Sequence, residues 1–269
     1  MNEQIRWITN LLDTHGIPYW VDEGTLLGLM REGDILTKGR KKPDNDIDIS
    51  MWSRDEPRFR TVLPLIRKAG YAIRTYRYCK LICTYFMVPS NLNSCRQSLP
   101  VIDVSIYRRH GDYAWTPGYY PTDPNGLPDT LTLSEREVRY RDHLARVLSG
   151  MAQGLGCTPI IQLPLALMRR WIAIEVCAWP WRLFYNVGTN WVPFSYFDRM
   201  DRQKEFDVLL PQNWESYLEF RYRDWKTPVE KWRYWIDDGG FHCQTPHEMI
   251  NSVSASSAQE QRASIHGDL

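Results

Sequence analysis

The sequence lacks several features that would place it in a class at once. Its 269 residues carry 33 basic and 32 acidic side chains, so a net charge of +1 gives no general attraction to nucleic acid or acidic membranes. Residues 1–10 contain no basic segment followed by an apolar run, which predicts no secretory signal. The most apolar stretch, 159–187, is interrupted by charged residues and is too polar to span a membrane. We therefore expect a cytoplasmic protein, at most peripheral to a membrane, that does not bind nucleic acid.

The cysteines and histidines also lack a regular ligand pattern. No two of the six cysteines are spaced as CxxC, and without a secretory signal we expect reduced thiols. Cys79, Cys83 and Cys95 have no fourth ligand at regular spacing, which disfavours a structural zinc site. The six histidines form no spaced pair, so none is a candidate for catalysis.

Aromatic residues, in contrast, are abundant, with 12 Trp and 15 Tyr. Each combines a large apolar area with a polar group, which suits a core, a sugar-binding surface or a membrane interface. Trp171, Trp179, Trp181 and Trp191 lie among arginines and are candidates for an interfacial surface, with packing in a helical core as the alternative. The segment 113–120 is a candidate for a loop that stacks on an acceptor sugar.

Hydrophobic periodicity predicts an α+β fold. Helices are expected at 2–15, 25–31 and 55–68, and strands at 17–22, 46–51, 71–78, 81–88 and 101–106. Residues 107–130 are rich in Gly and Pro and predict a long loop, whereas the pattern after Leu144 is mostly helical. We predict a mixed-sheet core with flanking helices over 1–150, a helical, aromatic-rich region over 151–250 and a flexible tail over 251–269.

Three aspartates carry the strongest chemical signal. Asp46 and Asp48 alternate along a predicted strand, so their side chains share a face with Cα atoms about 6.6 Å apart. Asp103 lies inside a later apolar strand, where a charged residue needs a partner or a metal. Mg²⁺ prefers carboxylate oxygens with substrate phosphates, and a pair of ions about 3.5–4 Å apart serves in-line displacement at phosphorus. Acidic-x-acidic triplets are common by chance, so this assignment depends on its surroundings.

The surroundings include a Gly-Thr pair and several basic residues. Gly24 and Thr25 lie at the turn where the predicted helix 25–31 opens, and the N-terminal amides of that helix suit an anion, although a plain turn with a helix N-cap would explain the pair alone. Because the three aspartates are also present, phosphate binding by this pair is the better hypothesis. Arg31, at the end of that helix, is either a solvated charge or a diphosphate clamp. The basic loop 38–43 is either solvated or closes over phosphates, and Asp44 either supports the metal ligands or is a solvated strand end.

These residues resemble the LicD/fukutin family, a branch of the nucleotidyltransferase superfamily. The similarity starts with YWVDEGTLLGLMR at 19–31 and continues with DNDIDI at 44–49. Ile102-Asp103-Val104 resembles the family's later acidic strand, and ESYLEFRYRDWKTP at 215–228 resembles its closing signature. The similarity therefore covers about 19–228, and it implies a nucleotidyltransferase-like mixed sheet.

The resemblance also implies an activity. It implies transfer of a phosphorylated alcohol, such as phosphocholine, ribitol phosphate or glycerol phosphate, from a CDP-linked donor to a hydroxyl of a glycan or lipid-linked glycan. The expected ligands of Mg²⁺, or of Mn²⁺ as the alternative, are Asp46, Asp48 and Asp103, one of which would help to deprotonate the acceptor. The expected donor contacts are Gly24, Thr25 and Arg31.

The chain departs from the family pattern in its basic insertion 38–43, at Asn45 and at Arg223. These departures affect the expected loop conformation and the identity of the donor more than the expected metal site. Four aromatic residues in and beside the closing signature are expected near the active site, with a helical core as the favoured alternative: Tyr217, Tyr222, Trp225 and Trp232. A second hypothesis, transfer of NMP to a small molecule or protein, would use the same residues. A third, a binding or structural protein, is disfavoured because all three aspartates are present.

Overall fold

The structure is a computed structural model, and it describes residues 3–34, 46–79, 81–89, 100–121, 185–229 and 232–254. The chain divides into two compact units, one made of residues 1–118 and 188–269 and the other of residues 119–187. All residues of the candidate site lie in the first unit. The expected domain boundary at 150 lies outside the described residues and stays a prediction.

Helices and strands alternate along the first part of the chain as far as the third strand, and two further strands follow it. In order they are α1 (Glu3–Thr14), β1 (Trp20–Val21), α2 (Glu23–Glu32), β2 (Asp46–Trp52), α3 (Glu56–Lys68), β3 (Tyr71–Tyr78), β4 (Leu81–Pro89) and β5 (Val101–His110). The later elements are β6 (Tyr113–Pro121), β7 (Tyr185–Pro193), β8 (Met200–Gln203), β9 (Val208–Pro211), α4 (Trp214–Tyr222), α5 (Tyr234–Asp237) and β10 (Phe241–His242). Residues 246–254 are also helical. The predicted α+β class is confirmed.

Most of the described strands join one mixed sheet of eight, in the order β1-β2-β5-β6-β7-β10, with β4 also paired to β5 and β3 paired to β4. The β2–β5 pair is parallel, whereas β1–β2 and β4–β5 are antiparallel. Strands β8 and β9 form a separate hairpin. The parallel register sets Asp48 directly opposite Asp103.

Side chains along β2 and β5 alternate between the hydrophobic core and an acidic face. Ile47, Ile49 and Ile102 are at most 1% exposed and belong to the hydrophobic core cluster. The same cluster receives apolar residues from α1 and α3 at helical spacing: Ile5, Ile8, Leu12, Phe59, Val62 and Ile66. Because side chains alternate across a strand, the intervening aspartates face the other way and are only half-buried.

The prediction of a loop over 107–130 is wrong for the first half of that segment, because β5 continues to His110 and β6 covers Tyr113–Pro121. Only the short turn at Gly111, with φ 56°, keeps a loop conformation there. Tyr107, Ala114 and Trp115 are buried, and this burial in the sheet outweighs the local Gly and Pro content. The segment proposed as a sugar-binding loop is therefore a strand.

The region expected to be mostly helical contains strands β7, β8 and β9 among its described residues. Trp191 on β7 is only 4% exposed and packs 5.2 Å from the ring of Tyr113, so it is a core residue and not part of an interfacial surface. The first four residues of the predicted tail, 251–254, are helical.

Several other predictions fall outside the described residues: those on the basic loop 38–43, on Asp44, on Cys95, on the remainder of the tail, and on Trp171, Trp179 and Trp181. Within the described part of the chain, no helix combines the length and the hydropathy needed to cross a membrane. Cys79 and Cys83 are free thiols.

The close approach of Gly239 to α4 gives a test of the fold. A Cβ at Gly239 would lie 2.1 Å from the backbone oxygen of Phe220, whereas a Cβ at Gly240 would meet only side-chain atoms, of Val192 at 3.2 Å and of Asp238 and Phe220 at 3.3 Å. We expect Gly239→Ala to lower the free energy of unfolding by at least about 2 kcal/mol, because rigid backbone must move. Gly240→Ala is the matched control and should cost less. Urea unfolding of both variants measures the difference, and equal losses would contradict this packing.

Candidate functional site

Three aspartates meet on the acidic face of the β2–β5 pair. One carboxylate oxygen from each of Asp46, Asp48 and Asp103 lies within 4.8 Å of the others, and all three residues are half-buried. The parallel register creates this cluster, since Asp48 and Asp103 are direct cross-strand partners and Asp46 lies two residues earlier on the same face. The structure thus brings together the three residues that the sequence predicted, and their role as metal ligands stays a prediction.

The chemistry of this donor set fits a hard divalent cation. All three side chains offer oxygen atoms, and partial burial leaves room for a substrate to contribute further oxygen ligands. Mg²⁺ and Mn²⁺ both prefer carboxylate ligands of this kind.

The Asp48 carboxylate is held by the first turn of α2. The backbone N–H of Thr25 donates to Asp48 Oδ2 at 3.2 Å, and the Thr25 hydroxyl lies 3.5 Å from the same oxygen. In return, the backbone N–H of Asp48 donates to Thr25 Oγ1 at 2.7 Å. A helix N-terminus favours negative charge, so this contact stabilises the ionised carboxylate as well as orienting it.

The helix was expected to open at Thr25 after a turn at Gly24, but α2 begins at Glu23 and both residues lie in its first turn. The N-cap is Asp22, whose side chain accepts a hydrogen bond from the backbone N–H of Glu23 at 2.8 Å. The polar groups of Thr25 therefore serve Asp48. The expected contact of Thr25 with donor phosphates stays a prediction that this hydrogen bonding does not support.

Asp22 is fully buried and was missed in the sequence analysis. Its carboxylate accepts hydrogen bonds from Trp20 Nε1 at 3.2 Å, Ser50 Oγ at 2.7 Å and the Tyr217 hydroxyl at 2.6 Å, besides the bond from the backbone N–H of Glu23. A buried carboxylate needs such partners to offset its lost hydration. The sequence did contain a signal for it, because Asp is a preferred N-cap residue and Asp22 lies at the end of an apolar strand, directly before a predicted helix.

Arg221, on α4, lies beside this carboxylate and is also buried. Its guanidinium binds Asp238 through Nε at 2.9 Å and through Nη2 at 2.5 Å. Its Nη1 donates to the Tyr217 hydroxyl at 3.0 Å and to Glu23 Oε1 at 3.4 Å, and lies 3.9 Å from Asp22 Oδ1. One buried cation thus faces three carboxylates. The residue falls within the closing signature, but its pairing was not foreseen.

Arg31, at the end of α2, makes hydrogen bonds to protein groups, and its expected role as a phosphate clamp stays a prediction. Its Nη1 donates to the backbone oxygen of Trp225 at 3.3 Å, and its Nη2 donates to Glu32 at 3.1 Å. These bonds tie the end of α2 to the closing signature. The buried Nε–H of Arg31 has no hydrogen-bond acceptor among the described residues.

Glu23, the first residue of α2, has an unusual backbone and an unusual side chain. Its φ of 44° is in the left-handed region, which costs energy for a residue with a side chain. Burial raises the pKa of its carboxyl from 4.5 to about 7, with Asp22 and Asp238 adding to the rise and Arg221 opposing it. The protonated form is therefore favoured by the folded protein more than by the unfolded chain.

This raised pKa predicts a pH dependence of stability. The folded protein holds the Glu23 proton more tightly than the unfolded chain does. The contribution of this group to the free energy of unfolding is therefore complete below pH 4.5 and is lost as the pH rises through about 7. We expect wild type to lose stability relative to Glu23→Gln between about pH 5 and pH 8, because Gln resembles the protonated acid. Urea unfolding of both proteins across this range measures the effect, and parallel pH curves would contradict it.

Comparison with known proteins adds a family relationship to this geometry. Residues 16–88 match the family model described as LicD/FKTN/FKRP, nucleotidyltransferase domain. The matched segment contains β1, α2 and β2 with Asp46 and Asp48, whereas Asp103 and α4 lie beyond it.

Two curated relatives come from Rickettsia species, and both are named as uncharacterized proteins. The protein of Rickettsia prowazekii (strain Madrid E) is 36% identical over 76 residues, which cover 27% of this chain and 27% of the relative. The protein of Rickettsia typhi (strain ATCC VR-144 / Wilmington) is 38% identical over 64 residues, or 24% of this chain and 19% of the relative. The chain thus matches about a quarter or less of the length of each relative.

Proposed function

We propose that this chain is a metal-dependent phosphotransferase, because its residues 16–88 match the LicD/FKTN/FKRP nucleotidyltransferase domain. The proposed reaction moves a phosphorylated alcohol from a CDP-linked donor to a hydroxyl of a glycan or lipid-linked glycan. The match of this domain supports a transferase in general. The observation that carries the finer proposal is the cluster of Asp46, Asp48 and Asp103.

The proposed cofactor is Mg²⁺ or Mn²⁺, bound by these three carboxylates. When bound, it would neutralise charge on the phosphate groups and on the leaving nucleotide. The carboxylates would hold it from one side, since all three project from the same face of β2 and β5. Thr25 would keep Asp48 in place through the hydrogen bonds from its amide and hydroxyl.

The proposed transfer balances as a substitution at phosphorus. The acceptor hydroxyl oxygen forms a bond to the phosphorus that bears the alcohol, and the bond from that phosphorus to the bridging oxygen breaks. CMP departs with the bonding electrons, and the acceptor proton passes to one of the cluster carboxylates. Because the protein would form no covalent bond to the transferred group, orientation of the substrates and stabilisation of charge would supply most of the rate acceleration.

Two further residues are proposed to contact the donor. Gly24 lies in the first turn of α2, where backbone N–H groups attract anions. Arg31 retains a buried Nε–H without an acceptor among the described residues, and an anionic group of the donor would satisfy it. These two positions extend the proposed phosphate site from one end of α2 to the other.

Calorimetric titration tests the donor class. We expect CDP-choline, CDP-glycerol or CDP-ribitol to bind with Mg²⁺ present and to bind much more weakly without it. Turnover with a glycan acceptor should release CMP. If no cytidine nucleotide binds, the phosphotransferase proposal is wrong. Turnover of CTP with release of diphosphate would instead favour the second hypothesis, transfer of NMP.

Substitution of the cluster tests its role. Asp46→Asn, Asp48→Asn and Asp103→Asn should each lower kcat at least about 100-fold, because the ligand charge is lost while the shape is kept. Asp201→Asn is the matched control, since Asp201 is an exposed aspartate on β8, and it should retain wild-type activity. Near-normal turnover in any cluster variant would refute the metal assignment of that residue.

A further inference from the structure

We propose that Tyr217, on α4, is a positioning residue for the metal ligand Asp48, and that it acts through Asp22 and the first turn of α2. The inference rests on the metal site of the proposed function. It assigns to Tyr217, which lies 169 positions after Asp48 in the sequence, a part in holding one carboxylate of the cluster. Three successive contacts carry the argument.

The first contact joins α4 to Asp22. The Tyr217 hydroxyl lies 2.6 Å from Asp22 Oδ1 and 3.0 Å from Arg221 Nη1. A guanidinium has only donors, so Arg221 must donate to the hydroxyl oxygen, and the hydroxyl proton is left to point at Asp22. Arg221 is itself oriented by two bonds to the buried carboxylate of Asp238. The direction of the Tyr217 hydrogen bond is therefore determined by its neighbours.

The second contact joins Asp22 to both elements that carry the site. Its side chain caps α2 at the backbone N–H of Glu23 and accepts from Ser50 on β2. Its own backbone N–H donates to the backbone oxygen of Asp48 at 3.1 Å. A shift of Asp22 would therefore move the start of α2 relative to β2.

The third contact joins the start of α2 to the metal ligand. The Thr25 amide and hydroxyl hold Asp48 Oδ2, three residues after the N-cap. The position of this amide is set by how α2 begins, and thus by Asp22. Groups that orient a ligand in this way are known to tune metal affinity by about 10- to 100-fold.

The test compares two tyrosines that differ in one contact. Tyr217 and Tyr107 are both fully buried, and their rings pack 5.1 Å and 5.5 Å from that of Phe197. The Tyr107 hydroxyl has no hydrogen-bond partner among the described residues. Tyr107→Phe therefore removes a buried hydroxyl from the same region without breaking a described hydrogen bond, which makes it the control for Tyr217→Phe.

We expect Tyr217→Phe to raise the Kd for Mg²⁺ or Mn²⁺ about 10-fold, and Tyr107→Phe to change it less than about twofold. Calorimetric titration with the metal alone, well below the thermal midpoint of each protein, separates this effect from a loss of stability. Near-ultraviolet circular dichroism confirms that both variants are folded. A purely structural role for Tyr217 would lower the thermal midpoint and leave the Kd unchanged.

Each outcome decides a different question. An unchanged Kd in Tyr217→Phe, or an equal rise in Tyr107→Phe, overturns the positioning role and leaves the proposed function intact. Wild type that binds neither metal overturns the metal site and this inference together. Wild type that binds metal but turns over no CDP-linked donor overturns the proposed function alone, and the comparison of the two tyrosines still stands.

Discussion

A carboxylate with no access to water needs hydrogen-bond donors from several directions, and Asp22 obtains them from four elements. Trp20 of β1, the backbone of Glu23 on α2, Ser50 of β2 and Tyr217 of α4 all donate to it. Its bonds define how the first helix of the site meets the strand that carries Asp46 and Asp48. Loss of any donor would leave a buried charge short of a partner, which is far more costly than losing an exposed hydrogen bond.

The electrostatics of the region follow from that arrangement. Arg221 offsets the charge of Asp22, Glu23 and Asp238, and burial of the group leaves Glu23 with a pKa near 7. The acidic cluster on β2 and β5 contacts the first turn of α2 through Asp48, which faces the positive end of the helix dipole. Two groups of carboxylates thus meet at one helix terminus, one paired with Arg221 and the other proposed to bind a cation.

The fold could be predicted from sequence where the pattern was local. Alternation in β2 and helical spacing in α1 and α3 identified those elements, because each buries one face against the core. The same reasoning failed over 113–121, where Gly and Pro suggested a loop but the buried Trp115 and Thr116 belong to a strand. Strand pairing there depends on distant partners that local composition does not report.

The amino-acid sequence by itself determined the three aspartates, because alternation places Asp46 and Asp48 on one face and an apolar strand makes the charge of Asp103 conspicuous. Only the tertiary structure decided that Asp103 lies opposite Asp48 and that Thr25 binds a carboxylate. It also decided that Asp22 is bonded to Tyr217. These contacts join residues from 23 to 195 positions apart, so they exist only after the sheet and α4 have packed, and no local pattern in the chain encodes them.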